Sequence, residues 1–212
     1  KPAQRVVMWK LKLSLFLLSA FWLLTTTAAH AQVVWNATDW TLYDTITIDH
    51  TQIDDDLTDF PVYVDLGDLS TDFWSTTPNA TNLVGTDIRV TTATGTITEL
   101  PRELVAASST AETGELHFRA DSISSTTDTT FRIWYNGNTD GDYAISSTYG
   151  AHNVWSDYDA VWHFDEDPSS ESLRDSTANA NDGTSEGSMT STDLVDGRVG
   201  RAIAFDEVND RI

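Results

Sequence analysis

Beyond its first 31 residues, this chain alternates apolar and polar residues with a period of two and has almost no helical periodicity. Successive side chains of a β-strand point to opposite faces of a sheet, so this alternation predicts half-buried strands. The pattern occurs in DTITIDH (44–50), FPVYVDL (60–66), DIRVTT (87–92), ELHFRAD (115–121) and TTFRIWYNG (129–137). Clusters of Thr, Ser, Asp, Asn and Gly separate these stretches, and the combination predicts an all-β fold built as an antiparallel β-sandwich.

The first 31 residues have a different character. From Met8, two lysines precede a twelve-residue apolar stretch and the small-residue ending Ala29-His30-Ala31. This order is typical of a secretory signal peptide cleaved after Ala31, and the apolar stretch is shorter than the ~20 residues that span a bilayer. We therefore expect residues 1–31 to be a signal peptide, in which residues 1–7 are extra residues that precede the initiator Met8. The mature chain is expected to be secreted or on the cell surface, without a membrane span.

Charge narrows the classes of partner. The leader holds four of the 12 basic residues and none of the 33 acidic ones, so the mature part has eight arginines against 33 acids, a net charge of −25. Such a chain repels nucleic acid and anionic lipid, and it suits cations or neutral ligands such as sugars. The chain has no cysteine, which excludes disulfides, thiolate metal sites and a cysteine nucleophile.

A polar connection near residue 150 divides the mature chain. Residues 32–150 hold the strand patterns, and an aromatic run opens a second block over residues 151–212. A sandwich domain needs ~100 residues, more than this block offers. We therefore expect one complete domain, followed by the beginning of a second, truncated domain.

Motifs in the first block resemble a known family. LTDFPVYVDL, GTDIRVTTATGT, ELPREL and FRIWYNGN are similar to an uncharacterised domain of exported bacterial proteins that ends in a Tyr-Gly-Asn motif. Here Tyr135-Asn136-Gly137-Asn138 carries one inserted residue. The resemblance implies export and implies no reaction.

The second block resembles the opening of LamG-like domains, which belong to the concanavalin A-like jelly-roll class. Its motifs are a W-H-F strand, an acidic turn, a D-S-x-x-N-x-N-D-G loop and a G-x-x-G-x-A-x-x-F-D segment. The matching positions are Trp162, Phe164, Asp175, Asn179, Asn181, Asp182, Gly183, Gly197, Gly200, Ala202, Phe205 and Asp206. Glu207 departs from the family, which usually has Gly there. The resemblance implies a binding domain.

The stretch VWHFDED (161–167) has two interpretations. In a strand, Trp162 and Phe164 share one face and would anchor the core, while His163 and Asp165 share the other. Alternatively His163 and Asp165 belong to a metal or acid-base site. A zinc site needs three or four converging ligands, and the spacing of the other histidines offers none, so the strand is favoured.

Calcium is the only candidate cofactor. Asn136, Asn138, Asp140 and Asp142 fall at the oxygen-ligand positions of a D-x-[DN]-x-[DN]-G loop, although Ser147 stands where a bidentate Glu is needed. The same residues are common turn formers, and a turn between domains is the favoured alternative. The 175–183 loop carries a similar calcium hypothesis.

Exposed aromatic rings are the expected mark of sugar binding. The candidates are Trp35, Trp40, Trp74, Trp134 and Trp155. Trp134 lies opposite Phe131, Ile133 and Tyr135 in its strand, so it either faces a ligand or packs on the next domain.

Together these patterns predict a secreted or cell-surface binding protein without catalytic activity, whose partners are glycans or another surface ligand. Two alternatives stay open. The domains are accessories of an exported glycan-degrading enzyme whose catalytic domain lies beyond residue 212, or they are structural spacers in a surface array.

Overall fold

The computed structural model describes residues 35–76, 87–137, 142–169 and 172–212. The strands are β1 (Leu42–Ile48), β2 (Leu57–Asp65), β3 (Arg89–Thr92), β4 (Glu99–Leu100), β5 (Arg102–Ser108), β6 (Thr113–Ile123), β7 (Thr129–Tyr135), β8 (Ser172–Leu173), β9 (Gly183–Thr184), β10 (Leu194–Asp196) and β11 (Arg201–Ile203). The helices are α1 (Thr71–Thr76) and α2 (Ala151–Val154), with 3₁₀ turns at His50–Gln52, Leu66–Asp68 and Ser191–Asp193. The all-β prediction is confirmed. Its finer description, a sandwich followed by a jelly-roll segment, stays a prediction, as does a domain boundary near residue 150.

Strands β1 to β7 form two antiparallel sheets. One sheet has the order β1-β7-β3-β4 and the other the order β2-β6-β5. Strands β8 and β9 form a separate antiparallel pair, as do β10 and β11. The five stretches that alternate in the sequence all contribute to the two larger sheets.

Both larger sheets contribute to one hydrophobic core. Leu116 and Phe118 of β6 are fully buried, as are Phe131 and Ile133 of β7 within about 1%. The rings of Phe118 and Phe131 meet edge to face with centroids 4.9 Å apart. The inward faces predicted from period-two alternation are therefore confirmed for these strands.

The outer face of β5 and β6 is polar. Glu103 lies directly opposite His117 in the antiparallel register, while Leu104 lies opposite Leu116 on the core side. Glu115 lies two residues before His117 and therefore points to the same outer face. A bulge at Val105 follows, because the register passes from Leu104 directly to Ala106. One acidic residue of β5 and an acid and a histidine of β6 thus lie side by side outside the core.

The predicted signal peptide, residues 1–31, lies outside the described residues. Of the helices that the structure does describe, none has the length and apolar character required to cross a bilayer.

Replacing Phe131 with alanine tests the shared core. We expect Phe131→Ala to lower the free energy of unfolding by about 3–5 kcal/mol, because it leaves a cavity where the two sheets meet. Urea unfolding followed by tryptophan fluorescence measures this change. Thr47→Ala, on the exposed side of β1, is the matched control and should change the stability by less than about 1 kcal/mol. Equal effects of the two substitutions would contradict a core at Phe131.

Candidate functional site

Residues 151–212, which we call the C-terminal segment, cover the outer face of β5 and β6. Helix α2 packs on both strands. The indole nitrogen of Trp155 donates a hydrogen bond of 2.5 Å to Glu103 Oε2, and the hydroxyl of Ser176 donates one of 2.8 Å to Glu103 Oε1. Arg174 brings a guanidinium nitrogen to within 3.6 Å of the same carboxylate. Glu103 is thereby buried and surrounded by donors from the C-terminal segment.

His163 lies between two buried carboxylates. Its Nε2 is 3.1 Å from Glu103 Oε2, and its Nδ1 is 3.3 Å from Glu115 Oε1. The Nε2 atom of His117 is 2.7 Å from the same Oε1 of Glu115. The rings of His117 and His163 have their centroids 4.9 Å apart, and the ring of Trp155 is close to both. We call Glu103, Glu115, His117 and His163 the His-Glu cluster.

Opposite charges dominate the electrostatics of this cluster. Burial lowers the pKa of His163, but hydrogen bonds and attraction from Glu103 and Glu115 outweigh it and raise the pKa to about 9. Burial raises the pKa of Glu115, yet its hydrogen bonds to His117 and His163 lower the pKa to about 2. The pKa of Glu103 is lowered in the same way, burial opposing and the bonds from His163, Trp155 and Ser176 prevailing. At neutral pH the two acids are ionised and His163 carries a proton.

The stretch VWHFDED does not form the predicted strand. Trp162 makes one isolated bridge, to Asp175, and Phe164 has a left-handed φ of 53°, which ends any extended run. The predicted exposure is also reversed at Trp162 and His163, while Phe164 is partly buried. The side chain of His163 is 7% exposed, whereas Trp162 is 38% exposed. The prediction that Trp162 anchors the core is wrong, because the ion pairs of His163 bury the other side of the chain.

Asp175 organises the loop that follows. Its carboxylate accepts hydrogen bonds from the backbone amides of Val161, Thr177 and Asn181, and from the Thr177 hydroxyl, at 2.8–2.9 Å. Burial raises the pKa of Asp175, but these bonds outweigh it and lower the pKa to about 2. Donors of Val161 and of the loop itself occupy the acceptor positions of the Asp175 carboxylate, which favours a turn over a calcium site at this position.

The exposed tryptophan is one that the sequence assigned to the core. The Trp162 indole nitrogen donates to the carbonyl oxygen of Asn181 at 3.0 Å, which fixes the ring against the 175–183 loop. The side-chain amides of Asn179 and Asn181 both donate to the carbonyl of Asp159 at 2.9 Å. A partly exposed indole therefore lies on a hydrogen-bonded, amide-rich loop. We call Trp162, Asn179 and Asn181 the Trp162 platform.

The five tryptophans proposed from the sequence as sugar-binding candidates are covered. Trp35 is partly buried, and the other four are buried: Trp40, Trp74, Trp134 and Trp155. Trp134 does lie on the face of β7 opposite Ile133, but it is 5% exposed. Its indole nitrogen donates to Thr91 Oγ1 at 2.8 Å, and the rings of Trp35 and Tyr43 pack against it. The expectation of an outward-facing ring is wrong because side chains of this first block cover it, so Trp134 offers no free face for stacking.

The predicted calcium residues are described only in part. Asn138 and Asp140 lie outside the described residues. Asn136 has a left-handed φ of 56°, typical of a turn, and Asp142 forms an ion pair with Arg102. Calcium binding by this loop stays a prediction.

Sequence patterns indicated part of the His-Glu cluster but not its assembly. Alternation places Glu115 and His117 on the outer face of β6, opposite Leu116 and Phe118. The pairing of Glu103 with His117, and the approach of His163 from 60 residues away, depend on strand register and on tertiary contacts. Period-two spacing does not encode either of these.

Comparison with protein-family models, curated proteins and solved structures gives no match for this chain. The two family resemblances stay predictions.

Removing His163 tests the ion pairs that hold the C-terminal segment. We expect His163→Ala to lower the free energy of unfolding by about 3–5 kcal/mol, because it removes the cation that lies between two buried carboxylates. Urea unfolding at neutral pH measures the change. His152→Ala, in helix α2 and outside the cluster, is the control and should cost less than about 1 kcal/mol. A His163→Ala protein as stable as the control would contradict the assignment.

Acid should loosen the Asp175 loop. A carboxyl group whose pKa is lower in the folded state contributes stability at pH values above its ordinary pKa of 3.8, and this contribution disappears as pH falls towards about 2. We expect Asp175→Asn to be less stable than the wild type by about 1–3 kcal/mol at pH 7, with a smaller difference at pH 2.5. Unfolding curves at both pH values provide the comparison. Asp159→Asn is the control, and a wild-type advantage that is independent of pH would contradict the prediction.

Proposed function

We propose that this chain is a secreted or cell-surface protein that binds carbohydrate or a similar surface ligand through the Trp162 platform and does not catalyse a reaction. The observation that carries the proposal is the half-exposed Trp162 ring, 38% accessible, with its nitrogen held by Asn181. A flat aromatic face stacks on a pyranose ring without needing a deep pocket. Because the indole is already fixed, little side-chain entropy is lost when a ligand binds.

The surroundings of the ring support a neutral polar ligand. Asn179 and Asn181 give the platform two side-chain amides, and Tyr158, 42% exposed, precedes it in the chain. The strongly acidic composition disfavours phosphate-rich partners. These features favour a glycan over a nucleic acid or an anionic membrane.

The state of the buried acids supports a binding role rather than a catalytic one. Glu103 and Glu115 are engaged by His163, and Glu103 also by Trp155 and Ser176. Paired in this way, they stabilise the fold on which Trp162 is presented.

A glycan array followed by calorimetry tests the proposal. We expect the chain to bind at least one glycan class, with or without added calcium, and Trp162→Ala to weaken that binding at least about fivefold, the cost of removing a central aromatic contact. Phe60→Ala is the matched control, because Phe60 is an aromatic residue of similar exposure, 42%, that belongs to β2 and is not part of the platform.

Two outcomes would contradict the proposal in different ways. Absence of binding to every glycan would favour the structural-spacer alternative. Binding that Phe60→Ala removes and Trp162→Ala leaves intact would place the site beside β2.

A further inference from the structure

We propose that Glu115, His117 and His163 bind one zinc ion, with Glu103 as the carboxylate that orients His163. The ligand atoms of these first three residues all lie within 4.8 Å of one another. The site would fasten the C-terminal segment to the β2-β6-β5 sheet, a role separate from ligand binding at the Trp162 platform.

The spacing of the donor atoms suits a small ion. A tetrahedral zinc ion with bonds of about 2.0–2.2 Å places its ligand atoms roughly 3.4 Å apart. Glu115 Oε1 already lies 2.7 Å from His117 Nε2 and 3.3 Å from His163 Nδ1. Small rotations of these side chains would therefore admit the ion between them.

The framework holds two of the ligands firmly. Glu115 and His117 lie at positions i and i+2 of β6, on one face, and β6 pairs with β2 on one side and β5 on the other. The third ligand, His163, comes from the C-terminal segment. A metal ion here would join two parts of the chain that are distant in sequence.

The second nitrogen of His163 is bound in the way that metal-ligating histidines require. A histidine that ligates zinc through one nitrogen usually donates its other N–H to a carboxylate, which fixes the ring. His163 Nε2 is 3.1 Å from Glu103 Oε2, and Glu103 is itself held by Trp155 and Ser176. These buried donors fix the position of the Glu103 carboxylate, and Glu103 in turn can fix the orientation of the His163 ring.

The donor set and charges select zinc over calcium. Imidazole nitrogens suit zinc and other late transition metals, whereas calcium prefers six to eight oxygens. Zinc would displace the proton from His163 Nδ1, and the two carboxylates of the cluster would then balance the double charge of the ion. Of the three proposed ligands, Glu115 also lines a surface cleft, which it shares with Tyr63, Gly114 and Arg201.

A second group in the described part of the chain provides an internal comparison. Asp49, His50 and Asp128 also lie close enough to share an ion, but their side chains are 38–60% exposed and they include one imidazole. Any metal bound there would have a single histidine ligand. The number of imidazole ligands therefore distinguishes a zinc ion in the His-Glu cluster from one bound by Asp49, His50 and Asp128.

The experiment uses the full chain, stripped of metal with EDTA and titrated with zinc chloride in a calorimeter. We expect one zinc ion per chain and a rise in melting temperature with zinc concentration. X-ray absorption of the zinc-loaded protein should show two imidazole nitrogens. His117→Ala and His163→Ala should each remove measurable binding, and Glu103→Gln should weaken it about 10–100-fold.

The control is His50→Ala, which should bind zinc as the wild type does. Absence of zinc binding by the wild type, a bound zinc with fewer than two imidazoles, or undiminished binding by His117→Ala would overturn the proposal. If His163→Ala does not fold, the imidazole count in the wild type still decides.

Discussion

The arrangement of this molecule depends on the neutralisation of two buried carboxylates, to which His163 contributes the charge that lies between them. Glu103 and Glu115 stand on the outer face of a sheet, and an unpaired carboxylate cannot be covered by protein without a cost of several kcal/mol. His163 supplies a positive charge between them, at 3.1 and 3.3 Å. The C-terminal segment can cover this face because it carries that histidine. Trp162 is the chain neighbour of this histidine and pairs with Asp175 of the following loop.

Strands with one apolar face in the hydrophobic core were predictable from the sequence. In β6, Leu116 and Phe118 alternate with polar residues and both are fully buried. In β7, Phe131 and Ile133 do the same. Packing of one face into the hydrophobic core selects apolar residues at every second position, and this selection is visible without knowledge of the partner strand. The all-β class and the antiparallel pairing follow from the same signal.

The prediction failed where a polar interaction outweighed an apolar preference. Trp162 was assigned to the core because it is large and apolar. Its neighbour His163 is buried instead, because it forms ion pairs with two buried carboxylates. Trp134 was expected to face either a ligand or the next domain, because its strand neighbours face inward. The strand has two covered faces in this region, since Trp35 and Tyr43 pack over the indole. Both errors arise because alternation reports which residues share a face, not what covers each face.

The 60-residue separation between Glu103 and His163 has a consequence for the order of folding. Strands β5 and β6 are joined by a short turn and pair through local contacts, which form early because little chain entropy is lost. While the outer face of this pair is open, water solvates Glu103 and Glu115 and their charges impose no penalty on the sheet. Desolvation arises only when the C-terminal segment arrives, and His163 arrives in the same event. Desolvation of the two acids is therefore coupled to their neutralisation. The sheet can form during synthesis before the residues that neutralise these acids have left the ribosome.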